Sequence, residues 1–225
     1  MKKMLLLALA AMSARLALPA FSSATPAHLN ENPGVFTVHG GAAGWSRTDG
    51  VTTTSTTTTG VGSFESTTTG TVKFTVHGKN SALLGSCGST AEGHTEASGT
   101  VTTTTLPFHL VMLGASKPGI LLTPGKTANG EPHFATYSCG SFFTATIVVK
   151  GNGILGEITS PACGVKSGTA TLKFNGAGGV QTPQLYTGVN YSLSSKLGSG
   201  AFTQSAMNAE AKITFGGKTP SIVCT

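Results

Sequence analysis

Apolar and polar residues alternate with a period of two in several separate stretches of the chain. Within residues 71–77, Val72, Phe74 and Val76 fall on one side, and the residues between them are polar. Residues 170–175 and 209–215 show the same alternation, which is typical of strands with one buried face. No stretch keeps an apolar period of 3.6 residues over three turns, so the pattern predicts almost no helix.

Other apolar stretches depart from this simple alternation. Residues 106–113 and 144–149 are nearly continuous apolar runs, which predicts strands covered on both faces. A longer half-buried stripe is predicted from five residues: Leu185, Val189, Tyr191, Leu193 and Leu197.

Turn residues separate these stretches about every 8–15 positions, a spacing that suits antiparallel hairpins. We therefore predict one all-β domain over residues 25–225, folded as an antiparallel β-sandwich or a flattened β-barrel. Purely sequential hairpins would favour a barrel, whereas Greek-key returns would favour a sandwich. The sequence does not separate the two.

The first 24 residues have the pattern of a signal peptide. Lys2 and Lys3 precede an apolar stretch that is too short to cross a bilayer, and small residues at Ser22 and Ala24 fit a cleavage site before Thr25. The sequence therefore predicts a protein that is secreted or held at the cell surface, with no membrane span.

The charge pattern argues against nucleic acid as a partner. The chain has 14 Lys and Arg against 8 Asp and Glu, and three of the 14 (Lys2, Lys3 and Arg15) lie in the predicted signal peptide. The rest are scattered singly, as at Lys73 and Lys79, and form no basic stripe. A nucleic-acid binder concentrates such residues on one face, so we interpret these lysines as solvated surface charge.

The four cysteines predict two disulfides, because an even number in an exported chain is typical of a disulfide framework. Residues 151–153 have the composition of a hairpin turn, which would bring Cys139 opposite Cys163. We therefore predict the pairs Cys139–Cys163 and Cys87–Cys224. The sequence Gly-Asn-Gly-Ile-Leu-Gly at 151–156 also matches a dinucleotide-binding loop, but Pro161 and the β-branched residues before it leave no helix to follow. No cofactor is predicted.

Threonine runs are the only unusual surface feature. Residues 52–54, 56–59, 67–69 and 102–105 contain most of them, and we expect long hairpins that extend beyond the core. Contact with a cell-wall polysaccharide or with ice is the alternative for these runs. Trp45 could stack on a sugar from a shallow sheet face.

Catalytic and metal-binding arrangements are sparse. Asp49 is the only aspartate, no G-x-S-x-G motif is present, and all four cysteines are assigned to disulfides. Glu92, His94 and Glu96 share one face if they lie on a strand, but their spacing is wide for a tetrahedral ion. We predict neither an enzyme nor a metal site.

Four phrases of the sequence resemble uncharacterised exported β-rich proteins of soil actinobacteria. The resemblance implies export, and it implies no activity, cofactor or catalytic residue. The phrases are TTTTLPFHLVMLGASKPGILLTPG at 102–125, HFATYSC at 133–139, GNGILGEITSPACG at 151–164 and NAEAKITF at 208–215.

These observations predict a non-catalytic exported β-domain that acts by display or weak binding. A first alternative is an extracellular carrier that holds an apolar small molecule inside a barrel. A second is a module that binds cell-wall polysaccharide. The residues expected to line a carrier's interior are Phe108, Leu110, Met112, Phe143, Ile147 and Tyr191.

Overall fold

The computed structural model describes residues 26–89, 99–127, 129–140 and 144–224, and their regular structure is entirely β. The all-β prediction is confirmed. The strands are β1 (His28–Leu29), β2 (Val35–Gly40), β3 (Ala43–Arg47), β4 (Thr52–Ser55), β5 (Thr57–Phe64), β6 (Thr69–His77), β7 (Asn80–Ser81), β8 (Gly85–Ser89), β9 (Val101–Thr102), β10 (Leu106–Gly114), β11 (Lys117–Leu122), β12 (Gly125–Lys126), β13 (Pro132–His133), β14 (Ala135–Cys139), β15 (Ala145–Gly151), β16 (Ile154–Ser160), β17 (Thr169–Ala177), β18 (Val180–Thr182), β19 (Leu185–Tyr186), β20 (Val189–Asn190), β21 (Leu193–Leu197), β22 (Thr203–Phe215) and β23 (Ile222–Val223).

Most of these segments join into eight long barrel strands that run alternately up and down. In chain order the barrel strands are β2 with β3, β4 with β5, β6 with β7, β8 with β9 and β10, β11 with β14, β15 with β16, β17 with β21, and β22 alone. Each pairs antiparallel with the next, and the eighth pairs with the first through β22. The sheet therefore closes into an eight-stranded up-and-down barrel, the second of the two predicted architectures.

The inward-facing positions shift by one residue partway along the barrel. In the third barrel strand the inward residues of β6 are Val72, Phe74 and Val76, whereas beyond Gly78 (φ +62°) they are Lys79 and Ser81. Similar shifts occur in the first, second and sixth barrel strands. The second and third barrel strands shift together, because Thr57 pairs with His77 and Thr54 with Asn80 in one register. The first barrel strand has one extra residue relative to β22, which forms a β-bulge at residues 41–42.

These shifts divide the barrel into two halves with different interiors. The apolar half consists of β2, β5, β6, β10, β11, β16, β17 and residues 209–215 of β22. The polar half consists of β3, β4, β7, β8, β14, β15, β21 and residues 203–208 of β22. β9 pairs with β6 between them.

A cluster of phenylalanine rings fills the apolar half. The centroids of Phe64 and Phe108 are 4.9 Å apart, and those of Phe36 and Phe64 are 5.4 Å apart. Glycines on neighbouring strands make room for the rings. Gly62 pairs with Phe36 and Gly70 pairs with Phe108, and a side chain at either glycine would collide with the ring.

A smaller apolar cluster lies on the outside of the barrel. Val111, Leu121 and Leu155 face outward and are covered by Tyr186 and Tyr191 from the segment between β17 and β21. This cover explains the continuous apolar run in β10, as predicted. The same segment leaves Leu185 68 % exposed and Val189 44 % exposed, so the longer predicted stripe is wrong at these two positions.

The prediction for residues 144–149 is also wrong. In β15 only alternate residues, Ile147 and Val149, are fully buried, and those between them are half-buried. The β-branched residues of this run thus belong to an ordinary strand with one interior face.

The two ends of the described chain meet at the base of the apolar half. β1 pairs with β23, which buries Leu29 and Ile222 against the phenylalanine cluster. A disulfide between Cys163 and Cys224 holds β23 to the turn between β16 and β17. The second disulfide joins Cys87 and Cys139, which are directly opposite each other in β8 and β14.

The prediction of two disulfides is confirmed, but the predicted pairs Cys139–Cys163 and Cys87–Cys224 are wrong. They rested on a hairpin turn at residues 151–153, and β15 and β16 do not pair with each other. β15 pairs with β14 and β21, and β16 pairs with β11 and β17. Residues 151–153 instead carry the sixth barrel strand from the polar half into the apolar half, which separates Cys139 from Cys163.

We expect Gly62→Ala to lower the free energy of unfolding by about 1–3 kcal/mol, the usual cost of overpacking a core. The added methyl group would fall on the Phe36 ring and 2.6 Å from the carbonyl oxygen of Thr71. Gly41→Ala is the matched control, because nothing lies within 4 Å of a Cβ at that position. Urea denaturation measures both, and equal effects would contradict this account of the core.

We expect the double variant Cys163→Ala and Cys224→Ala to lose about 2–4 kcal/mol of stability, because the bond closes a loop with a sequence separation of 61 residues. Peptide mapping without reductant should first recover Cys87 joined to Cys139. Recovery of Cys139 joined to Cys163 would refute the connectivity. Thermal unfolding of the variant at matched pH gives the change in stability.

Candidate ligand cavity

Polar side chains line the inside of the polar half. They lie at alternate positions of their strands and are at least nine-tenths buried: Arg47, Thr53, Ser55, Lys79, Ser81, Ser89, Ser195 and Ser205. Some are satisfied locally. Ser55 donates to the carbonyl oxygen of Ala43 (3.2 Å), and Ser89 accepts from the amide of Thr102 (2.6 Å).

Other buried polar atoms here have no hydrogen-bond partner among the described residues. They are Trp45 Nε1, Arg47 Nη1, Ser195 Oγ and Ser205 Oγ. The phenol of Tyr137 and the hydroxyl group of Thr53 interact with each other. A buried polar group without a partner costs about 1–3 kcal/mol. Their concentration in one half of the barrel marks it as the place where a polar ligand atom would be stabilised.

A cavity of about 110 Å³ lies where the two halves meet. Its wall is mostly apolar and includes Phe74, Leu106, Phe174 and Leu193. The wall also contains Lys79, Tyr137 and Trp45, together with four other polar residues, Ser55, Thr58, Thr103 and the solvent-exposed Glu210. An apolar chamber with a few polar groups is the usual form of a small-molecule site.

Lys79 is the most unusual group in the cavity. Its side chain is only 8 % exposed, and burial lowers its pKa from 10.5 to about 8. Among the described residues its one charge-related contact is with the ring face of Tyr137, whose centroid is 5.7 Å from Nζ. The ammonium group therefore lies in the barrel without a carboxylate partner in the described chain, an arrangement that proteins rarely leave uncompensated.

Tyr137 and Trp45 supply hydrogen-bond donors beside this lysine. Burial raises the pKa of Tyr137 to about 12, so its phenol keeps the proton at neutral pH. The indole N–H of Trp45 is buried and has no acceptor among the described residues. Both groups can donate to an oxygen atom placed in the cavity.

Arg47 lies outside the cavity wall and has a carboxylate partner. Its Nη2 donates to Asp49 Oδ2 at 2.6 Å, and its Nε donates to Asp49 Oδ1 at 3.0 Å. Nη2 also donates to Thr203 Oγ1 at 3.1 Å. The charge of Arg47 is thus compensated, whereas Lys79 has no carboxylate partner among the described residues.

The barrel wall is interrupted next to the cavity. Residues 41 and 42 have no Cα partner on either neighbouring strand. Pairing to β22 stops at Gly40 and resumes at Gly44. Pairing to the second barrel strand stops at Gly40 and resumes at Ala43, with β4 in place of β5. Residues 41 and 42 are exposed. Thr58 and Ala211, which pair with Gly40, belong to the cavity wall. The wall beside the cavity therefore contains a short stretch without pairing between strands.

The residues expected to line a carrier's interior lie elsewhere. Phe108 and Leu110 border a void of only about 20 Å³ in the apolar half. Met112 and Ile147 are packed in the core, and Tyr191 belongs to the outer apolar cluster. The sixth residue, Phe143, lies outside the described residues.

The interpretation of Lys79 as a solvated surface charge is wrong. Strict alternation from Val72 through Val76 would place Lys79 on the outer face, but Gly78 shifts the phase so that it faces inward. Trp45 also lies inside and not on a shallow sheet face, after a similar shift beyond Gly40. A glycine within an alternating strand is the sequence signal that predicts a shift of this kind.

The threonine runs do not extend beyond the core as expected. Residues 52–54 and 57–59 are part of the second barrel strand, with Thr53 only 1 % exposed and Thr58 in the cavity wall. Glu92, His94 and Glu96 lie outside the described residues. Within the described part of the chain no cluster of three metal-ligating side chains is found, and no helix has the length and apolar character needed to cross a membrane.

No family model matches the chain, and no curated protein or solved structure is significantly similar to it.

The buried lysine makes stability depend on pH. Between pH 8 and 10.5 the unfolded chain binds more protons than the folded one at Lys79, so the free energy of unfolding rises with pH. Below pH 8 the full penalty applies, and a shift from 10.5 to about 8 corresponds to about 3 kcal/mol. We expect Lys79→Met to be more stable than the wild type by about this amount at pH 7, with a smaller difference at pH 10.

Urea denaturation between pH 7 and 10 measures this difference, below the range in which Tyr137 begins to titrate. Lys73→Met is the matched control, because Lys73 lies on the same barrel strand and faces solvent. A difference between Lys79→Met and the wild type that stays constant across this range would contradict the burial of a titrating amine.

Proposed function

We propose that this protein is a non-catalytic carrier that binds a small, largely apolar molecule with one anionic group inside the barrel. The observation that carries the proposal is the ammonium group of Lys79, which lies in an apolar cavity without a carboxylate partner in the described chain. A ligand carboxylate would compensate this charge, and charge-assisted hydrogen bonds are worth about 1.5–3 kcal/mol.

The cavity limits the size of the ligand. Its volume of about 110 Å³ is well below the roughly 300–1,000 Å³ typical of drug-sized ligands. An engineered apolar cavity of about 150 Å³ binds benzene. The present cavity is smaller than that one. The ligand class is therefore a short aliphatic carboxylic acid, with its apolar part toward Phe74, Leu106 and Phe174 and its carboxylate toward Lys79.

The geometry favours this function over display or polysaccharide binding. A domain that acts only through its outer surface has no use for a buried unpaired lysine, which lowers its stability. Polysaccharide contact would need an exposed aromatic platform, whereas Trp45, the single tryptophan, lines the interior. The bulge at residues 41–42 provides a route for ligand entry that leaves the barrel closed.

The proposed place of action is outside the cytoplasm, in the medium or at the cell surface. Two disulfides support this proposal, because such bonds persist in oxidising surroundings. The predicted signal peptide over residues 1–24 supports it independently.

Calorimetric titration with matched pairs of acids and alcohols tests the proposal. We expect butyrate and isobutyrate to bind about 10–150-fold more tightly than 1-butanol and isobutanol, because only the acids compensate Lys79. Lys79→Met should abolish the preference for the acid, and Lys73→Met should retain it. Equal affinity of the acid and the alcohol for the wild type, or no binding of any of the four probes, would refute the proposed function.

A further inference from the structure

We propose that Lys79 also captures small apolar aldehydes and ketones as a covalent imine inside the barrel. This inference rests on the proposed function in one respect only, that the cavity admits a small molecule. It adds a second ligand class, carbonyl compounds, and a reversible covalent bond at one atom, Lys79 Nζ.

The placement of Lys79 meets the requirements of imine formation. The reaction needs an amine that is neutral for part of the time, a space beside it for the carbonyl carbon, and limited access of water. Lys79 Nζ lies against a cavity whose wall is mostly apolar, and no carboxylate in the described residues holds its proton. The lowered pKa of Lys79, about 8, supports the same conclusion.

The other described lysines differ from Lys79 in their surroundings. Lys150 lies 3.3 Å from Glu131, and Lys218 lies 4.0 Å from Glu31, so each of these two amines has a carboxylate partner. Lys73 and Lys212 face solvent on the outside of the barrel. Only Lys79 combines a buried amine with an adjacent cavity, so the structure predicts selective modification at this residue.

The chemistry is balanced without any further reactant. The lone pair of the neutral Nζ attacks the carbonyl carbon, and the nitrogen loses a proton as the carbonyl oxygen gains one to give a carbinolamine. Loss of that hydroxyl group as water, with the second proton from nitrogen, leaves the C=N bond. No electron is gained or lost overall. Water that leaves the apolar cavity is not replaced easily, which disfavours hydrolysis.

Tyr137 is the residue best placed to assist this reaction. Its ring lies below the ammonium group, its phenol is protonated at neutral pH, and its Oη interacts with the hydroxyl group of Thr53. With Thr53 as donor, the phenol can give its own proton to a hydrogen bond with the carbonyl oxygen and stabilise the negative charge that develops during attack. We assign Tyr137 this catalytic role, and the covalent bond forms at Lys79.

Reductive trapping tests the inference. The purified protein is incubated at pH 8 with isobutyraldehyde or butanone and sodium cyanoborohydride, which reduces an imine to a stable secondary amine. Peptide mapping by mass spectrometry then locates the adduct. We expect labelling of Lys79 at least ~10-fold faster than labelling of Lys73, because a lower pKa leaves more neutral amine.

Variants separate selective capture from general reactivity. Lys79→Met should remove the fast adduct, and Lys73→Met should leave it unchanged. Tyr137→Phe should lower the maximal rate of Lys79 labelling by a larger factor than it raises the isobutyraldehyde concentration that gives half of that rate, a split that a merely structural defect would not produce. Equal labelling of all lysines, or a fast adduct that persists in Lys79→Met, would overturn the inference.

The outcome is independent of the test of the carrier function. Preferential binding of carboxylates that depends on Lys79, together with unselective labelling, would refute imine capture and leave the carrier proposal standing. Selective labelling of Lys79 without a preference for carboxylates would refute the anionic ligand class and support carbonyl capture.

Discussion

The pairing between the first and eighth barrel strands constrains the rest of this structure. β22 spans both halves and pairs with β2 along one half and with β3 along the other. Because this pairing closes the sheet, the barrel has a fixed circumference of eight strands, and every inward side chain must fit within it. In the apolar half that space is filled by phenylalanine rings set against glycines. In the polar half smaller serine and threonine side chains occupy the same circumference and leave room for a cavity.

The two interiors correspond to two different roles for the same sheet. Ring packing in the apolar half supplies the buried apolar area that stabilises a domain of this size. The polar half, with its unpaired hydroxyl groups and buried lysine, opposes folding. This arrangement fits the proposed carrier function, because stability lost at a functional site is compensated elsewhere in a fold. The disulfide between Cys87 and Cys139 also lies in this half.

The fold class was predictable from sequence because a period of two is a local property of each strand. The alternation at Val72, Phe74 and Val76, and that at residues 209–215, both correspond to interior faces. Disulfide pairing was not predictable in the same way, because it depends on which strands become neighbours around the barrel. Cys87 and Cys139 are adjacent only because β8 and β14, which are far apart in the sequence, pair with each other in the polar half.

The candidate site was missed for a related reason. A shift of one residue moves every later side chain of a strand to the opposite face. Strict alternation therefore places Lys79 and Trp45 on the surface, whereas the shifts at Gly78 and Gly40 place them inside. The continuous apolar run of β10 has a different cause. The outer face of this strand, at Val111, is covered by the segment between β17 and β21.

The meeting of β1 and β23 at the base makes the strand order circular. Each barrel strand is adjacent in space to its neighbours in sequence, and the two ends of the described chain already lie side by side. A circular permutation that joins these ends and opens the chain at the Asp49–Gly50 turn would keep every pair of neighbouring strands. The same strand order is therefore compatible with a chain that is opened at any of several turns of the barrel.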